Sequence, residues 1–174
     1  GKQASEYVNK HIERFIRMIK NKIPPWSTQE EVLSKFTNQF TEIQMVMSND
    51  PENFESSGTC VIACLIIDTS LYTINLGDSR AVLGSQTNKD IYAIEMSEDH
   101  KPEVPDELER IVRCGGEVAN SNEGGLENLN LNKEQITPIN NVYIPFRVFK
   151  KGESFPGLAI SRSIGDLTAH DVGV

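Results

Sequence analysis

The apolar residues of this chain change their spacing once, near residue 58, and that change restricts the fold more than any other feature. Before it they recur with a helical period. Val8, Ile12, Phe15, Ile16 and Ile19 follow the i, i+4, i+7, i+8, i+11 spacing of a single helix face, which predicts an amphipathic helix from Gln3 to Lys20. Pro24-Pro25 stops it, because proline lacks an amide donor and restricts the residue before it. Thr28-Gln29-Glu30-Glu31 has the spacing of a capping box. It opens a second helix whose stripe is Val32, Leu33, Phe36, Phe40, Ile43 and Met47. Both stripes read as core-facing.

After residue 58 the pattern belongs to strands. Thr59 to Ile67 is almost continuously apolar, which predicts a strand buried on both faces. Asp68-Thr69-Ser70 supplies a turn. Leu71 to Leu76 then alternates, with Tyr72, Ile74 and Leu76 on one side and Thr73 and Asn75 on the other, completing an antiparallel hairpin. Arg80 to Leu83 and Ile91 to Met96 read as further strands around a polar turn, and Glu98 to Pro105 as a loop. Asp106 is expected to cap a short helix running through Cys114, with Gly115-Gly116 as its stop. Asn120 to Asn141, rich in Asn, Glu and Gly, reads as an exposed loop, and Tyr143 to Phe149 returns to strand character. Helices segregated from antiparallel strands indicate an α+β layered fold. A chain of 174 residues is most simply one domain.

Composition excludes some functions. A net charge of −8 opposes nucleic-acid binding, which rests on neutralising phosphates with Lys and Arg. No apolar run approaches the roughly 18 residues of a membrane span. The start carries no basic flank followed by an apolar segment, so no signal peptide is expected. Cys60 and Cys64 lie about 13 Å apart along an extended strand, too far to bridge. The three cysteines are therefore read as reduced, buried thiols of an intracellular protein, cytoplasmic or nuclear.

Four strings carry the candidate chemistry: Gly77-Asp78-Ser79-Arg80, Asp99-His100-Lys101-Pro102, Cys114-Gly115-Gly116, and Pro156 to Asp166. Gly77 permits a sharp turn at a strand end, and Asp78 then projects from a rigid sheet, as a ligand of a hard cation would. Asp after Gly serves equally as a turn residue. Gly165-Asp166 and Ser161-Arg162-Ser163 admit the same structural reading, or Arg162 offers a planar fork to phosphate. Asp99-His100 reads as a structural loop in preference to a base with its orienter. His11 and His170 read as solvated.

In order along the chain, these strings resemble the middle of the metal-dependent protein Ser/Thr phosphatases of type 2C (the PPM family), from Ser57-Gly58-Thr59 through Glu109-Arg110-Ile111 to Gly165-Asp166. The resemblance implies a layered α-β-β-α sandwich with two antiparallel sheets, of which residues 1–174 form part. It implies hydrolysis of phosphoserine and phosphothreonine on phosphoprotein substrates by water activated on a pair of Mg²⁺ or Mn²⁺ ions. It makes Asp78 a ligand of an additional ion beside that pair. It also implies that the principal metal ligands and the phosphate-binding Arg lie in strings outside residues 1–174, so that this segment alone is inactive. Asn120 to Asn141 stands as an insertion relative to the family pattern. The rival reading is a phosphatase-like module that binds a partner without hydrolysing it.

Overall fold

The computed structural model describes residues 1–20, 27–120, 124–125 and 145–174. Helix α1 spans Lys2–Lys20 and α2 spans Gln29–Ser48, with a short α3 at Pro51–Phe54. The capping box at the start of α2 is formed. Thr28 Oγ1 accepts from the Glu31 amide at 3.2 Å, and the Glu31 carboxylate accepts from the Thr28 amide at 3.0 Å. The stripe of α1 and the C-terminal part of the α2 stripe share one core. Ala4 and Val8 of α1 and Ile43 and Met47 of α2 are buried with Phe54, Val61 and Ile164. Leu33 departs from the stripe and is half exposed. Pro24-Pro25 and the side chains of Phe15 and Ile19 lie outside the described residues.

The strands follow: β1 (Gly58–Thr59), β2 (Val61–Ile67), β3 (Ser70–Leu76), β4 (Val82–Gln86) and β5 (Ile91–Glu95). After them come α4 (Pro105–Arg113), β6 (Gly116–Asn120), β7 (Gly124–Gly125), β8 (Arg147–Lys150), β9 (Pro156–Leu158), β10 (Ile164–Gly165) and α5 (Leu167–His170). The α+β class holds, and every pairing is antiparallel. Among the described residues the ladders number four: β1-β10, β2-β3, β4-β5 and β7-β6-β8-β9.

Several boundaries differ from the sequence reading for identifiable reasons. The apolar run from Thr59 breaks at Cys60, so that β1 leaves the hairpin and pairs with β10, Gly58 against Gly165 and Thr59 against Ile164. The run is not buried on both faces. Leu65 and Ile67 pack with Tyr72 and Ile74 against Val32 and Phe36 of α2, whereas Ile62, Cys64 and Ile66 face outward. The cap of α4 is Val104, with Pro105 at the first helical position, where its missing amide costs nothing. Asp106 falls in the first turn and complements the helix dipole there. Gly116 begins a strand that the sequence reading took for a helix stop, and β9 lies within a string read as a turn. Of the strand expected from Tyr143 to Phe149, the described residues include β8, from Arg147. Residues 143–144 and almost all of the Asn120–Asn141 segment lie outside the described residues. A second core joins α4 and α5 to the β6-β8-β9 ladder, with Ile111, Val118, Val148 and Val172 at its centre.

Candidate functional site at the Gly-Asp strand ends

Because β1 pairs with β10 while the adjoining β2 pairs with β3, the ends of β3 and β10 both come near Cys60. Gly77 follows β3 with φ +102. A Cβ there would stand 2.3 Å from the Cys60 sulfur, so both conformation and space demand glycine. Asp78 emerges next, exposed, and its Oδ1 accepts from the Cys60 thiol at 3.6 Å. At the end of β10, Gly165, with φ +84, admits the close approach of the Ser57 carbonyl. Asp166 follows in the left-handed region and is buried; its amide donates to Ser57 O at 3.2 Å. A Cβ at Gly58 would meet an Asp166 carboxylate oxygen at 1.9 Å, so Gly58 makes the room that this carboxylate occupies. Burial pushes the Cys60 thiol up, and the charges of Asp78 and Asp166 push it the same way.

The other strings brace this edge. His100 Nδ1 accepts from the Gly77 amide at 3.0 Å, and the His100 amide donates to Gly77 O at 3.0 Å. That acceptor role fixes the neutral tautomer with its proton on Nε2. Burial, and then the Arg162 charge, lower the His100 pKa in keeping with it. His100 O accepts from the Ser161 amide at 3.1 Å, which ties the fourth string to the second. Asp99 receives both forks of Arg80 at 2.9 and 2.8 Å and lies 3.4 Å from the Lys101 ammonium. The Arg80 hydrogen bonds hold its carboxyl below the usual range against the effect of burial. Asp99-His100 is thus a structural clamp, as the sequence reading preferred.

Glu107 is the residue that sequence reasoning missed. It is 4% exposed on α4. It accepts from Arg110 at 2.8 Å through both nitrogens, from Arg162 at 2.6 to 3.1 Å, and from Ser161 Oγ at 2.5 Å. Burial would raise its pKa, but the bonds from Arg110, Arg162 and Ser161 outweigh that and hold it far below the ordinary carboxylate range. The Arg162 fork offered to phosphate by the sequence reading is therefore engaged by Glu107. The available signal was the spacing of Glu107 and Arg110, one helical turn apart. His11 and His170 are not simply solvated. His11 stacks on Tyr7 at 4.0 Å, and His170 Nε2 lies 2.8 Å from Gly165 O and 3.0 Å from the Gln44 amide nitrogen. All three cysteines are free, but Cys64 and Cys114 are exposed where burial was expected.

As to cation chemistry, Asp78 offers carboxylate oxygens at a rigid strand end, with a thiol as its hydrogen-bonding neighbour, whereas Asp99 is engaged by two cations. The donor type at Asp78 fits Mg²⁺ or Mn²⁺, which prefer carboxylate and water oxygens. Among the described residues no three His, Cys, Asp or Glu side chains converge as a complete ligand set.

Comparison with known proteins agrees with this arrangement of strings. The family model described as Protein phosphatase 2C matches residues 1–172. The chain is 30% identical over 175 residues to probable protein phosphatase 2C 35 of Arabidopsis thaliana, covering 100% of the chain and 48% of that protein. It is 38% identical over 120 residues to probable protein phosphatase 2C 64 of Oryza sativa subsp. japonica, covering 68% of the chain and 24% of that protein. The crystal structure of serine-threonine phosphatase 2C from Toxoplasma gondii superposes with a TM-score of 0.65 at 19% identity. That superposition covers 100% of the chain and 57% of the other, and it supports the fold. The chain spans less than half the length of these two plant relatives.

Proposed function

The chain belongs to the protein phosphatase 2C family, and from that premise we propose that it contributes to the metal-dependent hydrolysis of phosphoserine and phosphothreonine on proteins. The observation that carries the reading is the family match over residues 1–172, along which the Gly77, Asp99-His100 and Ser161 strings are hydrogen-bonded to one another. Asp78 is the residue of this chain that would hold a Mg²⁺ or Mn²⁺ ion, one ligand of an ion beside the principal pair. When bound, such ions lower the pKa of water and offset charge on the phosphoryl oxygens. The chain's own residues do the positioning. Gly77 lets the chain pass against Cys60 just before Asp78, and Gly58 leaves the room that the Asp166 carboxylate occupies. His100, through Gly77, and Glu107, through Ser161 and Arg162, lock the loops that carry them. A site supported by interlocked hydrogen bonds holds its ligands within the tolerance that catalysis requires.

Residues 1–174 alone are expected to give no Mn²⁺-stimulated release of phosphate from a phosphothreonine peptide, because the reading assigns them one outlying ligand. Turnover by the purified 174-residue protein that rises with Mn²⁺ would refute this. In a longer polypeptide that does turn over, Asp78→Ala should lower the rate and shift its Mn²⁺ dependence to higher concentration, with metal-free melting unchanged. Superimposable metal titrations would remove Asp78 from the role. A longer polypeptide that binds phosphopeptide with no turnover at any Mn²⁺ concentration would favour the binding-module reading.

A further inference from the structure

Cys60, Asp78 and Asp166 gather where β1, β3 and β10 end, and the phosphatase reading uses Asp78 alone. The Cys60 thiol donates to Asp78 Oδ1 at 3.6 Å. Its sulfur has a fixed place. Gly77 carries no side chain, and a Cβ there would stand 2.3 Å from Sγ, so the end of β3 passes directly against the sulfur. Asp78 is exposed and Cys60 is partly exposed, which leaves the pair open to ions from solvent.

The separation of the two atoms decides which cation spans them. A tetrahedral ion with a sulfur ligand at about 2.3 Å and a carboxylate oxygen at about 2.1 Å holds the two about 3.6 Å apart. Sγ and Oδ1 already stand at that distance. Adjacent ligands of an octahedral Mg²⁺, each at about 2.05 Å, stand only about 2.9 Å apart, and both are oxygens. Sulfur is the soft ligand that selects Zn²⁺ over Mg²⁺. Distance and ligand type therefore favour the same class of ion.

A second observation points to a cation at this place. Asp166 is 8% exposed. Its amide bonds to Ser57 O and its carbonyl accepts from the Ala169 amide. Its carboxylate, in contrast, has no hydrogen bond and no ion pair among the described residues. A buried carboxylate without a partner is costly, and a divalent cation nearby offsets that cost. Asp166 is close enough for its charge to act on the Cys60 thiol.

We propose that Cys60 Sγ and Asp78 Oδ1 together bind a thiophilic divalent cation of the Zn²⁺ class, with the Asp166 charge beside it and water completing the shell. Asp166 is a neighbouring charge and not a ligand, since no three such side chains converge among the described residues. On binding, the S–H bond breaks, its proton leaves to solvent, and the sulfur electron pair forms the bond to the metal; no electron changes hands. The inference shares Asp78 with the phosphatase reading but does not require turnover. It makes a Zn²⁺-class ion compete with Mg²⁺ or Mn²⁺ for one carboxylate.

The test uses the 174-residue protein carrying Cys64→Ser and Cys114→Ser, both exposed positions, so that Cys60 is its remaining thiol. Cd²⁺, a visible stand-in for Zn²⁺, is titrated in, and the thiolate-to-Cd²⁺ charge-transfer absorption is followed. The expected result is a band that saturates at one Cd²⁺ per chain, that Zn²⁺ at equal concentration removes and that Mg²⁺ leaves in place. Asp78→Asn keeps the thiol and should weaken Cd²⁺ binding at least about tenfold, the least that loss of a neighbouring metal partner costs. Asp166→Asn should weaken it by less. Circular dichroism matching the parent excludes misfolding as the cause in either variant. The proposal is overturned if no band appears, if Asp78→Asn leaves the titration unchanged, or if Mg²⁺ displaces Cd²⁺ as well as Zn²⁺ does. None of those results touches the Mn²⁺ dependence of turnover in a longer polypeptide, which decides the phosphatase role of Asp78 separately.

Discussion

At Glu107 one buried carboxylate gathers hydrogen bonds from three side chains that belong to two distant parts of the chain. Glu107→Gln keeps the shape and removes the charge. It should cost about 3 kcal/mol, the low end for breaking a buried ion pair, because the Arg162 side chain is 44% exposed and keeps access to water. Urea unfolding monitored by circular dichroism checks this, with a lower midpoint and unchanged slope. The pH dependence has a definite sign. The folded carboxyl is held below its unfolded value of about 4.3, so acid protonates the unfolded chain first. The stabilisation is complete above that value and drains as pH falls below it. The Gln variant should therefore lose stability less steeply than the parent below about pH 4.3; parallel curves would remove Glu107 as the source. The place of Asp78 just past a strand end was legible at this scale, because glycine followed by a carboxylate is a local pattern. Glu107 was not, because its partners Ser161 and Arg162 are 54 and 55 residues away in sequence.

Helix α2 is the element on which two cores meet. Ile43 and Met47 join α1 on one side, while Val32 and Phe36 carry the β2-β3 hairpin on the other. Its start depends on the reciprocal bonds between Thr28 and Glu31. Thr28→Ala removes the Oγ1 acceptor and should cost about 1 kcal/mol, read as a lower thermal midpoint, whereas Thr28→Ser should restore it. Met47→Ala, at a fully buried position, should cost about 2–5 kcal/mol. This helix was readable because cap and stripe are both local. The strands were read less well. Cys60 interrupts an apolar run that has no turn residue in it, and it does so because Gly58 and Thr59 pair with β10 more than a hundred residues away. The short strands β6, β9 and β10 carry too few residues to show an alternation.

Across the whole molecule the apolar residues are not all inside. Ile66 is 73% exposed on β2 and Ile91 is 80% exposed on β5, with Val82 at 54% at the other end of the β4-β5 ladder. Exposed β-branched residues on short two-stranded ladders favour association between copies. Ile66→Thr with Ile91→Thr keeps the β-branched shape and should lower light scattering at rising protein concentration, with the melting temperature nearly unchanged. Unaltered scattering with a falling melting temperature would mean that these side chains pack in solution. The sequence alone determined the two helices and their faces, the hairpin, the α+β class and the family, because each rests on neighbours within a few turns of chain or on the order of short strings. Only the tertiary structure decided that β1 crosses to β10 and brings both Asp78 and Asp166 near Cys60. It alone decided that Glu107 binds the Ser161-Arg162 string, and that among the described residues β3 pairs with β2 alone. The reason is physical: pairing and burial are chosen by which distant surfaces meet, and no local pattern carries that choice.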